Sequence, residues 1–199
     1  VTAVDFDESI IALAENDRVA AGRHNVRFDV VSAYDLSFDG VFDVVYARFL
    51  LSHLKEPKKV LQLMARAAKR GGKIILEDVQ FSGHFCYPAC SAFDEYLRLY
   101  TAAAANNGAD AEIGPALPSL LHSAGLQNVG FDLIQPGFST GAGKWMAYLT
   151  LDKIKGTLVE QGIAHEQVID KLLVQLKDFT ADEHTIISLP RIFRAWGNV

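Results

Sequence analysis

The chain predicts an α/β fold, a mostly parallel sheet with helices on both faces. Short apolar runs rich in β-branched residues alternate with stretches whose apolar residues recur at helical spacing. The order strand, helix, strand, strand, helix, strand holds as far as Val79, which is the alternation that builds a parallel sheet. The later runs of this set are apolar nearly throughout, as in strands buried on both faces.

The elements follow in order. VTAVD (Val1 to Asp5) is a short β-branched run. Ile10, Ile11, Leu13, Ala14, Ala20 and Ala21 then recur at helical spacing, Glu8 and Ser9 suit a helix N-terminus, and Gly22 is a stop. VRFDVV (Val26 to Val31) reads as a strand, SAYDLSFDG as a turn-prone connection, and VFDVVYA (Val41 to Ala47) as a buried strand. Pro57 fits the first turn of a helix whose apolar face is Val60, Leu61, Leu63, Met64, Ala67 and Ala68, with Gly71-Gly72 expected to end it. KIILEDV follows as another buried strand.

Beyond Val79 the pattern changes. FSGHFCYPAC reads as an aromatic-rich loop, Ala92 to Asn107 and Leu117 to Gly125 as helices, and Leu126 to Pro136 as a strand. Amphipathic helices are expected over Lys144 to Gln161 and His165 to Asp178, with a last strand over Leu189 to Gly197. There is no internal repeat and no low-complexity linker, so the 199 residues read as a single domain with insertions.

Composition narrows the partners. Half the residues are apolar and 22% are charged, as in ordinary globular proteins. A net charge of -5 gives no electrostatic reason to expect nucleic acid. No stretch is apolar for long enough to cross a bilayer, and no signal-peptide pattern stands at the start. Cys86 and Cys90 give no disulfide framework, so a reducing cytoplasm is expected.

Three stretches are specific in combination: VTAVDFDES, SAYDLSFDGVFDVVYARFLLSHL, and KRGGKIILED at the end of the second helix. Together they resemble the Rossmann-like S-adenosylmethionine-dependent methyltransferases, particularly the small-molecule group that includes the ubiquinone/menaquinone-biosynthesis type. LPSLLHSAGLQNVGFDLIQP extends the resemblance through a helix and the family's sixth strand. It implies a partial cofactor-binding core over 1–79 and substrate-side helical insertions over 80–115 and 137–184, after the fifth and sixth strands. In that family VTAVD is the second strand. The first strand and its Asp-x-Gly-x-Gly-x-Gly loop are expected upstream of Val1, so the fold is expected to be N-terminally truncated.

The resemblance implies roles residue by residue. Asp5 accepts hydrogen bonds from both ribose hydroxyls, two adjacent donors that suit the two oxygens of a carboxylate. Phe6 lies against the adenine face. Ser32 and Ala33 stand where the family commonly has Asp-Ala at the adenine edge; Ser32 departs from that pattern, while Ala33 offers its backbone N–H. Arg48 and Phe49 follow the fourth strand, near the methionine end of the cofactor and the substrate mouth. All lie at the carboxyl ends of strands, where ligands collect in open α/β sheets.

The expected activity is methyl transfer from S-adenosylmethionine to a small-molecule acceptor. His53 and His84 are the candidate catalytic bases, being side chains that titrate in the right range. Tyr87, Tyr96 and Tyr100 are candidates to line an apolar pocket. HFCYPAC lacks the second ligand pair that tetrahedral zinc requires, so no metal is expected. Ser52-His53 has no flanking elbow glycines, which argues against a hydrolase triad. Two other readings stand beside the first. One is a non-catalytic, truncated domain whose unpaired strand edges are covered by homodimerisation. The other is a nicotinamide-dependent oxidoreductase, which also uses an acidic residue after its second strand.

Overall fold

The computed structural model describes all 199 residues. The first unit consists of β1 (Thr2–Asp5), α1 (Glu8–Ala20) and β2 (Arg27–Val30), with β1 and β2 parallel. Asp7 starts α1: its Oδ1 accepts the Ser9 backbone N–H at 2.8 Å and the Ser9 hydroxyl at 2.6 Å. Next come β3 (Phe42–Arg48), α2 (Pro57–Ala67) and β4 (Ala68–Gln80), with β3 and β4 parallel.

The chain then builds β5 (Cys86–Tyr87), α3 (Ser91–Asn106), α4 (Leu117–Ser123) and β6 (Gln127–Ile134). It continues through β7 (Gly137–Phe138), α5 (Met146–Glu160), α6 (Glu166–Ala181), β8 (Ile186–Ser188) and β9 (Arg191–Asn198). The main sheet has the order β3-β4-β9-β6, with β9 antiparallel to both of its neighbours. A small antiparallel sheet has the order β5-β8-β7.

These elements enclose two cores. Ile74, Leu76 and Ala195 of the main sheet pack with Leu51 and with Val60, Leu61 and Met64 of α2 and Leu117 and Leu121 of α4. The second core lies in a cap of α3, α5, α6 and the small sheet, around Phe93, Leu99, Leu151, Leu158, Ile169 and Leu176. The architecture agrees with the expected α/β class; the expected last strand is present as β9, and its antiparallel pairing is a finding of the structure. None of residues 1–50 is buried, and β1 and β3 each pair along one edge only.

Two details correct the sequence reading. Gly71-Gly72 does not end the second helix: α2 stops at Ala67, and Ala68 is already extended at φ -78°, ψ 147°. Ala68 is buried and pairs with Phe42, so packing ends the helix. The glycines instead serve an irregularity in β4 between the Phe42–Ala68 and Val44–Lys73 pairs. Gly71 has φ +80°, and a Cβ on Gly72 would lie 2.8 Å from the Lys69 carbonyl oxygen. Secondly, FSGHFCYPAC contains β5, and the second insertion contains β7 as well as helices.

Candidate functional site

Most of the residues singled out above stand at carboxyl ends of parallel strands, in the separate β1-β2 and β3-β4 pairs. Asp5 closes β1, and its Oδ1 accepts the Asp7 backbone N–H at 2.9 Å. The helix cap is therefore Asp7, and the Asp5 carboxylate is left to the strand end. Phe6 follows with 78% of its surface exposed. The Val31 N–H donates to the Asp5 carbonyl at 2.9 Å, which brings Ser32 and Ala33 to the same end of the unit. Ser32 Oγ accepts the Tyr34 N–H at 3.2 Å and caps the turn Ala33–Asp35.

Arg48 and Phe49 close β3. Arg48 Nε lies 3.3 Å from Glu77 Oε2, and its guanidinium stands 4.6 Å from the Phe49 ring centroid. Phe49 has φ +51°, uncommon for a bulky residue, and its N–H donates to the Glu77 carbonyl at 2.8 Å. Glu77 is a hub that the sequence reading missed. It accepts the Tyr46 hydroxyl at 3.0 Å, and Arg194 Nη1 lies 4.0 Å from its other oxygen. Arg194 in turn holds Asp132 with two hydrogen bonds.

Arg48, Glu77, Arg194 and Asp132 thus form one row of alternating charge across β3, β4, β9 and β6. Its neighbour Asp78 points to the opposite face and is 1% exposed. Asp78 accepts the Ser52 N–H and the Val79 N–H, each at 3.0 Å, and so pins the turn Leu51–His53 to the end of β4. The signal for both was present in LEDV: two adjacent carboxylates in a strand must face opposite ways.

The two histidines are not brought together. His53 is exposed at the end of its turn. His84 sits in the cap among aromatic rings, 4.5 Å from Phe81, 6.1 Å from Phe93 and 6.4 Å from Tyr96 between centroids. His84 Nδ1 lies 2.7 Å from the Phe81 carbonyl, which can only accept, so Nδ1 carries the proton and Nε2 is the acceptor. Burial pushes its pKa down to about 4, against the opposing effect of that hydrogen bond.

Of the three tyrosines, Tyr96 is buried in the cap core, Tyr100 stacks on Phe81 at 3.9 Å, and Tyr87 is exposed. Burial raises the Cys86 thiol to about 11, far from a reactive thiolate. No group of three His, Cys, Asp or Glu side chains is arranged to hold a metal ion, and no helix is long and apolar enough to cross a membrane.

Residues 1–76 match the family described as "Methyltransferase domain". A phosphatidylethanolamine N-methyltransferase of Cereibacter sphaeroides is 35% identical over 78 residues, 38% of this chain and 38% of that protein. A demethylmenaquinone methyltransferase of Shouchella clausii is 37% identical over 76 residues, 38% of this chain and 32% of that protein. The matched segment thus spans less than two fifths of the length of either of these curated relatives.

Among solved structures, the YcgJ protein of Bacillus subtilis superposes with a TM-score of 0.62 at 17% identity, covering 99% of this chain and 81% of that one. A phosphoethanolamine N-methyltransferase of Haemonchus contortus, solved with S-adenosylhomocysteine, gives 0.54 at 17% identity, covering 100% of this chain and 43% of that one. The whole chain shares the Rossmann-like α/β fold of these structures.

Proposed function

We propose that this chain, whose first 76 residues match a methyltransferase domain, transfers a methyl group from S-adenosylmethionine to a small-molecule acceptor. The observation that carries the reading is Asp5. It is an acidic residue at the carboxyl end of a parallel strand, within the matched segment, and the adjacent helix is capped by Asp7 instead. The residues present fit the adenosine half of the cofactor. In this reading the Asp5 carboxylate takes the ribose hydroxyls and exposed Phe6 covers the adenine face. Ser32 and Ala33 meet the adenine edge, while Arg48 and Phe49 stand toward the methionine end.

Bound S-adenosylmethionine supplies an electrophilic methyl carbon on a sulfonium. The chain's own work is to align an acceptor with that carbon, exclude water and manage a proton. His84 is neutral at physiological pH with Nε2 as acceptor, but at a pKa of about 4 it holds a proton weakly. Its role in this reading is to orient an acceptor hydroxyl or amine by receiving its hydrogen bond. Exposed His53 is the candidate for proton removal. The two free cysteines suit a reducing cytoplasm.

Isothermal titration of the chain with S-adenosylhomocysteine tests the reading. We expect micromolar binding and no heat with NADH; absence of S-adenosylhomocysteine binding sinks it. A second reading is favoured by the unpaired edges of β1 and β3. In it the chain is a non-catalytic methyltransferase-like domain whose partner is a second copy of itself.

A further inference from the structure

The chain passes between its two cores four times. It leaves the sheet at Phe81–Phe85, returns at Ala109–Gly114, leaves again at Gln135–Pro136 and returns at Leu189–Pro190. These crossings are laced together. The Leu189 N–H donates to the Pro136 carbonyl at 2.8 Å, and the Ser188 N–H to the Phe85 carbonyl at 2.9 Å. The Phe85 N–H donates to Ser188 Oγ at 2.7 Å, and Arg191 Nη1 to Gln80 Oε1 at 2.7 Å. Ser82 gives Glu112 both its backbone N–H, at 2.7 Å, and its hydroxyl, at 2.6 Å. A Cβ on Gly83 would stand 2.7 Å from Arg191 Cβ, so backbone meets side chain there directly.

One side chain reaches three crossings. Half-buried Gln135 belongs to the third, and its Nε2 donates both to the Gly83 carbonyl of the first and, at 3.5 Å, to the Leu189 carbonyl of the fourth. A carboxamide nitrogen carries two protons, and here each has a carbonyl from a different crossing. Gly83 immediately precedes His84, which is itself fastened to the same turn through Phe81.

We infer that Gln135 is a positioning residue: it fixes the Phe81–His84 turn, and with it the seat of the cap, over the carboxyl end of the main sheet. It does so through three crossings at once, so the cap is clamped at this waist and does not swing as a free lid. Removing the carboxamide leaves two carbonyls from separate crossings unpaired and frees the turn that carries His84. The inference rests on the methyl-transfer reading only in regarding this as the acceptor side.

Hydrogen exchange of the chain with Gln135→Ala and Gln135→Leu provides the test; leucine fills the volume without donating, and decides the matter if the alanine variant fails to fold. Amides of residues 81–85 and 186–190 are expected to exchange about tenfold faster or more, with α2 and β4 keeping their protection. The His84 titration, followed by NMR, is expected to rise from about 4 toward the ordinary histidine value as the turn opens. Unchanged exchange, an equal rise in both cores, or an unmoved His84 midpoint overturns the assignment. Failure of cofactor binding in the unaltered chain would count against methyl transfer and leave these exchange results standing.

Discussion

At the scale of single residues, the opening of the chain divides labour between two aspartates. Asp7 caps the start of α1 with its side chain, and Asp5 ends β1 with a carboxylate of which one oxygen holds the Asp7 N–H and the other accepts no hydrogen bond from the helix. Their substitutions should therefore separate. Asp5→Ala is expected to weaken S-adenosylhomocysteine about tenfold or more, as the loss of a charge-assisted contact requires. Asp7→Ala is expected to cost about 1 kcal/mol of stability and leave that affinity in place. Calorimetry beside a denaturant melt reads both. His84 gives a prediction in pH. Its folded pKa of about 4 lies below the ordinary 6.5, so the unfolded chain takes up the proton first as pH falls. Stability is full above about 6.5, declines toward pH 4 and loses no more from this group below that, by roughly 3 kcal/mol in all. His84→Phe should flatten that window in pH-dependent melts, and a slope that persists unchanged would show the imidazole is not its source.

At the scale of elements, α2 shows what a local pattern can specify. Pro57 at its first turn and an apolar stripe at helical spacing place it correctly, and Val60, Leu61, Met64 and Ala67 are buried as that stripe requires. Leu61→Ala is expected to cost about 2–5 kcal/mol by leaving a cavity under the main sheet. Gly114 is the opposite case: a Cβ there would lie 2.8 Å from the Phe193 ring and 2.9 Å from the Val79 backbone. Gly114→Ala should destabilise by about 1–3 kcal/mol through overpacking, seen as a lower midpoint with an unchanged denaturant slope. The larger strands were legible because each is a run of four or more residues rich in β-branched or aromatic side chains, whether or not the structure buries it. β5, β7 and β8 were not, being two or three residues long and paired across distant segments, as Cys86 is with Ile187. The end of α2 was misread for a related reason: a glycine pair is a strong local stop signal, yet the Phe42–Ala68 pairing takes the chain out of the helix earlier. Likewise, the strand-end positions of Asp5, Ser32 and Arg48 could be read from order alone, whereas the aromatic surroundings of His84 depend on α3 folding back over the turn.

At the scale of the whole molecule, the sheet core and the cap core are self-contained, while the first unit is not buried anywhere. Unpaired edges on β1 and β3 lie beside exposed Val1, Phe6, Val30, Val44 and Tyr46, and in the second reading proposed above a second copy of the chain covers them. Sedimentation velocity across a concentration series is expected to show a dimer; a monomer throughout would remove the self-pairing reading. The place of β9 has a kinetic consequence. It fills the middle of the main sheet, between β4 and β6, although it comes last in the order of elements. Every pair in its ladder with β4 is at least as far apart as Gln80 and Arg191, 111 positions along the chain. Loop-closure entropy is spent before that pairing returns anything, so folding should be slow for a chain with this much helix. Until β9 arrives, β4 and β6 present open edges to each other across a vacant strand position, and that interval is when this protein is most exposed to aggregation.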